Sequence, residues 1–306
     1  MSNNRIKILL AFAAIYFVWG STYVVLRFGI KTIPPFLFSA ARFFIAGILL
    51  LSYCLLKRKP LPDRRSFINN SICGVLMLGG GTVSVAWAEQ YVPSSTAAIM
   101  VTFLPFLFVL CDKSQWNYYF SNKIIIIGLL VGFIGVVLLT NFSNTDTTGL
   151  NIPGHAALGI VAILAGEVGW TTGSLISKYK TSNASLLMNA SIQLLATSTV
   201  CLVISFAGGE WETFSIAQVS PQSIIALVYL VFMGSLIAYL SYIYLLSVLP
   251  AVEVSTHVYV NPVVAVLLGA LLANEPVNLT VISSLILILF GVLLVNMPKY
   301  YAPKKS

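Results

Sequence analysis

Ten stretches of about twenty residues, each nearly free of charge, follow one another along this chain of 306 residues. About 20 helical residues at 1.5 Å each match the roughly 30 Å hydrocarbon core of a bilayer. Each stretch must be a helix, because an isolated strand in lipid would leave its backbone N–H and C=O groups unpaired. The stretches are 6–28, 35–56, 68–88, 94–116, 124–141, 155–177, 185–207, 223–246, 252–272 and 279–297. Only 8% of the residues are charged, against about 25% in a soluble domain, which is too few ions to cover a water-soluble surface. Disordered, collagen-like and disulfide-framework chains are excluded on the same ground. Arg5 and Lys7 precede the first stretch as in a signal peptide, but the run from Ile8 through Leu26 is long enough to span, so it reads as a transmembrane helix rather than a cleaved signal.

A net charge of +8 suggests an anionic partner until the bases are placed. They stand between the apolar stretches and read as orientation signals. An inward N-terminus puts 14 of 17 on the cytoplasmic side: Arg5, Lys7, the group Lys57 to Arg65, Lys113, Lys123, Lys178, Lys180, Lys299, Lys304 and Lys305. Arg27 and Lys31 face out, and Arg42 lies within the second stretch. The expectation is a multi-pass protein of the inner (cytoplasmic, plasma) membrane with both termini cytoplasmic, in contact with the lipid bilayer and with no nucleic-acid partner. Asp112 and Lys113 are expected at the cytoplasmic rim. Cys54, Cys73, Cys111 and Cys201 have neither metal-ligand nor redox spacing and read as buried free thiols. No metal site and no cofactor is expected.

The two halves echo each other at nearly constant offsets. Trp19 matches Trp170, Arg27 matches Lys178 and Arg42 stands opposite Gln193, each 151 residues on. Pro93 matches Pro250 and Pro105 matches Pro262, each 157 on. An odd number of helices per copy makes the second copy enter the membrane from the other side, the inverted repeat of alternating-access transporters. The expected fold is therefore all-α and polytopic, with ten transmembrane helices as two inverted five-helix repeats, residues 1–148 and 149–306.

The sequence resembles the EamA family of the drug/metabolite transporter superfamily. The resemblance rests on Trp19-Gly20-Ser21, on Pro35 through Arg42-Phe43, on Trp87 and the run Pro93 to Ala98, on Leu104-Pro105 recurring as Asn261-Pro262, and on Asn274-Glu275-Pro276. It covers nearly the whole chain and implies a ten-helix, 5+5 fold that moves small metabolites, often outward. Two positions depart from the family pattern. Glu275 has no acidic counterpart in the first half, where Tyr118-Tyr119 stand, and Glu167 occupies a place where a small or apolar residue is common.

Residues at i, i+3, i+4 and i+7 share a helix face. Polar and aromatic stripes built this way are Tyr16, Trp19, Gly20, Tyr23 and Arg27; Ser84, Trp87 and Tyr91; Glu167, Trp170, Thr171 and Ser174; Ser235, Tyr239 and Tyr242; and Glu253, His257 and Asn261. The fifth and tenth stretches carry none and are expected at a lipid-facing edge. The candidate substrate-binding residues are Trp19, Tyr23, Arg42, Trp87, Glu167, Trp170, Thr171, Gln193, Tyr239, Tyr242, His257 and Asn261. Arg42, about 10 Å deep, either snorkels to the headgroups or pairs bidentately with a carboxylate. Glu167 lies about 18 Å deep, where an acid costs about 2.5–3.5 kcal/mol on insertion scales. It is a hydrogen-bonded structural acid, a partner of Arg42, or a group that binds a proton or a substrate ammonium. Pro105 and Pro262, each without an N–H in mid-span, are kinks or hinges. Gly128, Gly132 and Gly135, with Gly166, Gly169 and Gly173, read as close-packing positions.

The functional expectation is a secondary active transporter and exporter of small metabolites such as amino acids, working by alternating access with proton coupling or exchange, as a monomer or weak homodimer. No nucleotide-binding loop is present, since Gly79-Gly80-Gly81 lacks the following Lys-Ser/Thr. The competing class is an intramembrane enzyme acting on a lipid or small amphipathic substrate. It is disfavoured because the two histidines, His155 and His257, form no zincin pair and no adjacent aspartates hold a Mg-diphosphate.

Overall fold

The computed structural model describes residues 3–88, 91, 97, 100–142, 156–180, 182–264 and 279–297. Every regular element among them is helical. Besides the short helical turns Lys113–Gln115, Glu210–Thr213 and Ile216–Gln218, they are α1 (Asn3–Gly29), α2 (Pro35–Leu56), α3 (Arg64–Ala88), α4 (Leu104–Cys111), α5 (Trp116–Ser121), α6 (Lys123–Phe142), α7 (Ala156–Tyr179), α8 (Leu186–Ala207), α9 (Pro221–Val248), α10 (251–264, broken at Thr256) and α11 (Leu279–Asn296). Seven are long and apolar enough to cross a membrane, or eight if the bent pair of α5 and α6 counts as one span. The fourth and ninth stretches of the sequence, and the expected start of the sixth, fall partly outside the described residues.

Local chemistry sets the helix starts. Pro35 occupies the first turn of α2, where its missing N–H leaves no bond unmade. Asp63 caps α3 by accepting from the Ser66 N–H, and Ser185 caps α8 through the Met188 N–H. Glu210 reaches the N-terminus of α2 from after α8, taking hydrogen bonds from the Phe36 and Leu37 N–H groups at 3.1 and 2.8 Å. An acid at a helix N-terminus also meets the positive end of the helix dipole.

The helices pack in pairs: α2 on α8, α6 on α11, α3 on α7 and α1 on α9. α6 and α11 approach to backbone contact. A Cβ on Gly291 would lie 2.5 Å from the Gly132 nitrogen, so only glycine allows this crossing. As expected of a lipid-facing edge, Ile127, Leu130, Ile134, Ile286, Leu289 and Leu293 point outward from this pair and are exposed. Gly166, Gly169 and Gly173 of α7 face α3, as their spacing suggests. Two segments depart from regular α geometry: Val75–Val83 of α3 and Leu230–Ala238 of α9 are π-helical. A π turn widens the helix and is frequent at functional sites.

The structure revises several expectations. Pro105 does not interrupt a continuous helix. The helix breaks at Thr102-Phe103, and Pro105 sits in the first turn of α4. Cys111 is exposed, whereas Cys54, Cys73 and Cys201 are buried free thiols. Outside these revisions, Tyr259 packs its ring against Gly132 and donates its hydroxyl to the Leu129 carbonyl at 3.2 Å.

The α6–α11 contact generates a direct test. Gly291→Leu should lower thermal stability in detergent by about 3 kcal/mol or more, because overpacking here strikes backbone. Gly79→Ala, whose added methyl meets nothing closer than 3.7 Å, should change it by less than about 1 kcal/mol.

Candidate substrate cavity

A cavity of about 820 Å³, its open mouth included, lies between α1, α2, α3, α4, α7, α9 and α10. From α1 it takes Trp19, Thr22 and Leu26, and from α3 Leu78, Gly81, Thr82 and Val85, all in the later part of each helix. From α7 it takes Glu167 and Trp170, but neither Ser174 nor Lys178 beyond them. Because α1 and α3 run antiparallel to α7, Leu26 and Val85 lie toward the end where α1 and α3 finish, while Glu167, Trp170 and Ser235 lie near the middle of their helices. The cavity thus opens toward the end where α1 and α3 finish and is closed toward the end where α7 and α9 finish.

The floor is aromatic. Trp19 packs edge-on against Trp170 with ring centres 5.6 Å apart, and lies 5.3 Å from Tyr242 and 4.8 Å from His257. Tyr242 stands behind Trp170, accepts its indole N–H at 2.8 Å, and bonds Ser174 Oγ at 2.8 Å. His257 Nδ1–H donates to the Val254 carbonyl at 3.0 Å. That bond fixes the ring orientation and leaves Nε2 on the other side.

Two ionisable side chains face this cavity from different helices. Arg42 is buried on α2, donates its Nε–H to Ser235 Oγ at 2.8 Å, and lies 5.1 Å above the Phe43 ring. Its fork lies against the π segment of α9, where a Cβ on Gly234 would come within 2.7 Å of Nη2. Glu167 is buried on α7, and its Oε2 has no hydrogen-bond partner. Arg42 and Glu167 form no ion pair with each other, so the pairing weighed from their depths does not occur. Asn261 Oδ1 and Thr171 Oγ1 are likewise buried without partners.

With this geometry in place, comparison with known proteins is informative. The model of the EamA-like transporter family matches residues 5–141 and again 157–297. The chain belongs to the EamA-like transporter family. It is thus a multi-pass membrane transporter of the drug/metabolite transporter superfamily. The inner membrane transporter YedA of Escherichia coli (strain K12) is 37% identical over 298 residues, 96% of this chain and 92% of that protein. The transporter YoaV of Bacillus subtilis (strain 168) is 23% identical over 278 residues, 90% of this chain and 92% of that one. A solved crystal structure superposes with a TM-score of 0.75 over 98% of this chain and 99% of its own, at 18% identity, a likeness of fold alone.

Of the residues singled out in this EamA-like chain, Trp19, Arg42, Glu167, Trp170, Tyr239, His257 and Asn261 line the cavity. Tyr242 supports the floor from behind. Thr171 is buried one turn beyond Glu167, and Gln193 is buried between α3 and α9 without reaching the cavity wall. Trp87 packs on Tyr91 at 4.7 Å instead of lining the cavity. The side chains of Tyr23 and Arg27 lie outside the described residues. Thr22, Thr82, Gly234 and Val258 are lining residues not anticipated as site residues; nothing in hydropathy marks a small side chain beside a π turn.

The closed end holds a second correction. Asp112 is not rim-exposed but 1% accessible, and its carboxyl accepts the Tyr119 hydroxyl at 2.9 Å and the Tyr179 hydroxyl at 2.7 Å. Glu253, also buried, accepts from Tyr118 at 3.0 Å. Lys178 donates to the Leu246 and Leu249 carbonyls at 2.8 and 2.5 Å, capping the end of α9. These bonds tie α4, α5, α7, α9 and α10 together below the aromatic floor. Tyr119→Phe and Tyr179→Phe should each lower thermal stability by about 1–2 kcal/mol, and because they share one carboxyl the double variant should be non-additive.

Proposed function

We propose that this chain is a secondary active transporter that exports small zwitterionic metabolites such as amino acids by alternating access around this cavity. The observation that carries the reading is a buried guanidinium and a buried carboxyl that face one cavity from different helices without pairing with each other. A buried ion left unpaired costs several kcal/mol, and a ligand that brings a carboxylate to Arg42 and an ammonium to Glu167 offsets both. The guanidinium is pre-aligned by Ser235 and Gly234 for bidentate contact. Trp19 and Trp170 offer apolar surface to the rest of the solute. Tyr239, His257 and Asn261 complete the proposed contacts. Glu167, when no ammonium occupies it, takes a proton, so solute and proton alternate at one carboxyl.

The proposed architecture is ten transmembrane helices in two inverted repeats, 1–148 and 149–306. In support, the family model matches the chain twice. α2 and α8 have 22 residues each, and their starts at 35 and 186 are 151 apart. The packing of α3 on α7 has its image in α9 on α1, and α2 on α8 and α6 on α11 are each paired with their own counterparts. The π segments begin 155 residues apart at 75 and 230. With both termini cytoplasmic, as the distribution of bases favours, the cavity faces outward. The Asp112, Tyr119, Tyr179 and Lys178 bonds then form the cytoplasmic seal, and the break beside Pro105 and the proline Pro262, within the helical run 257–264, act as hinges.

Transport in proteoliposomes tests the residue roles. Arg42→Lys should lose most of its rate because an ammonium cannot make the bidentate contact; a rate equal to wild type rejects the carboxylate anchor. Glu167→Gln should fold and express but lose pH-gradient-driven transport, and an unchanged rate with unchanged pH dependence leaves the carboxyl a structural role only.

Access is tested separately. Single cysteines at Trp19 and Trp170, in a cysteine-free background, should react with membrane-impermeant reagents from either side according to conformation. Labelling from one side under every ligand and pH condition contradicts alternating access. A chemically altered solute at the end of a transport assay would indicate the enzyme reading instead.

A further inference from the structure

The stretch from Lys57 to Arg65, which joins α2 to α3, holds five exposed bases, Lys57, Arg58, Lys59, Arg64 and Arg65, against one acid, Asp63. That acid is engaged in capping α3, where its Oδ1 accepts the Ser66 N–H at 3.2 Å. An orientation signal needs only the charge of such a segment. Two features of this one go beyond charge.

The first is the turn that ends α2. The Arg58 N–H donates to the Leu55 carbonyl and the Lys59 N–H to the Cys54 carbonyl, each at 2.9 Å. These are the two bonds of a Schellman motif, whose left-handed residue is ordinarily glycine because a Cβ is strained there. Here it is Arg58, with φ of 50°, and among the described residues no other non-glycine residue has a positive φ. Glycine would make the same turn without strain, so what the position gains from arginine is an exposed guanidinium.

The second is the start of α3. Asp63, Arg64, Arg65, Ile68 and Asn69 line an open groove. Arg64, Ile68 and Ile72 fall at i, i+4 and i+8, on one face of α3, and all three are exposed. At 1.5 Å per residue this face passes from guanidinium to bare hydrocarbon within about 12 Å. Leu56 at the end of α2 and Leu61 in the connection are also exposed, at 83% and 64%. Bases at one level with exposed apolar side chains beside them match the two parts of a phospholipid. Guanidinium groups bind a phosphate bidentately, and the acyl chains lie against Ile68 and Ile72.

We infer that the α2–α3 connection and the first turns of α3 form a binding site for an anionic phospholipid of the cytoplasmic leaflet. Groups of about four to eight bases at the cytoplasmic end of a transmembrane helix attract anionic headgroups. Free phosphate would satisfy the bases but leave Leu56, Leu61, Ile68 and Ile72 uncovered, so the lipid is the occupant. The inference rests on the proposed orientation of the chain and not on the solute it carries.

The test uses the full-length protein purified in detergent, where the direction of insertion plays no part, with lipid binding read by native mass spectrometry. Dioleoylphosphatidylglycerol should bind at least tenfold more tightly than dioleoylphosphatidylcholine. Arg64→Gln/Arg65→Gln should lower the phosphatidylglycerol affinity about tenfold. Lys113→Gln/Lys123→Gln removes as many charges elsewhere and should leave it unchanged; an equal loss in the two pairs reduces the effect to diffuse charge and overturns the site. Arg58→Gly should unfold at the same or a higher temperature than wild type without added lipid, because the strain is relieved, yet bind phosphatidylglycerol several-fold more weakly. Unchanged affinity in Arg58→Gly and in Arg64→Gln/Arg65→Gln overturns the inference. Inorganic phosphate that displaces phosphatidylglycerol at equal concentration indicates a free-anion site and overturns the lipid assignment. If the paired arginine variant does not fold, equal binding of the two lipids by wild type overturns it. Orientation is read apart from binding, by treating intact cells with a membrane-impermeant maleimide after Leu61→Cys in a cysteine-free background. Protection until the cells are opened is expected, and labelling from outside overturns the assignment to the cytoplasmic leaflet.

Discussion

The site is organised by an interaction that the structure withholds. Arg42 and Glu167, buried in one cavity of a membrane protein, are held on different helices and do not meet. Were both groups ionised, they would attract strongly in a medium of low polarity, and both side chains are long. They stay apart because each is positioned by its own helix. Ser235 and Phe43 hold the guanidinium toward α9, and α7 fixes Glu167 beside Trp170. The free energy that an internal ion pair would have released is thereby left available to a ligand.

Holding charges apart requires rigid walls, and the helix pairs provide them. Gly132 and Gly291 bring α6 and α11 to backbone contact, and Gly166, Gly169 and Gly173 do the same for α7 and α3. In lipid, where apolar burial between helices is weak as a driving force, such close packing is the main source of association. The π segments interrupt this regularity only beside the cavity, in α3 and α9, and one of them carries both Gly234 and Ser235. At the opposite end, tyrosine hydroxyls on Asp112 and Glu253 close the bundle with bonds that water can replace. Seals of that kind suit a surface that opens, whereas glycine contacts suit one that does not.

Much of this is readable from residue order. Hydropathy marks the spans because lipid imposes a length and excludes charge. The 151-residue offset is reproduced in the limits of α2 and α8. Helical spacing correctly groups Trp19 on α1, Glu167 with Trp170 on α7 and His257 with Asn261 on α10. Other features are tertiary and leave no local trace. Asp112 looks rim-exposed because a charge at the end of an apolar stretch usually is; its two tyrosine partners come from α5 and α7. Gln193 looks like a mate of Arg42 because it holds the equivalent position, yet its amide is wholly engaged by Asn70 and Tyr239. The π turns escape detection because the sequence around them, Val75–Val83 and Leu230–Ala238, is as apolar as any α-helical span.

The central claim is that Arg42 and Glu167, on different helices of one cavity, recognise the two ends of one solute. It is tested most directly by counterflow in proteoliposomes preloaded with unlabelled amino acids, comparing wild type with the double variant Arg42→Met/Glu167→Gln. The account predicts that wild type accumulates intact labelled amino acid transiently and that the double variant, though folded and inserted, does not. Counterflow by the double variant at the wild-type rate would contradict it.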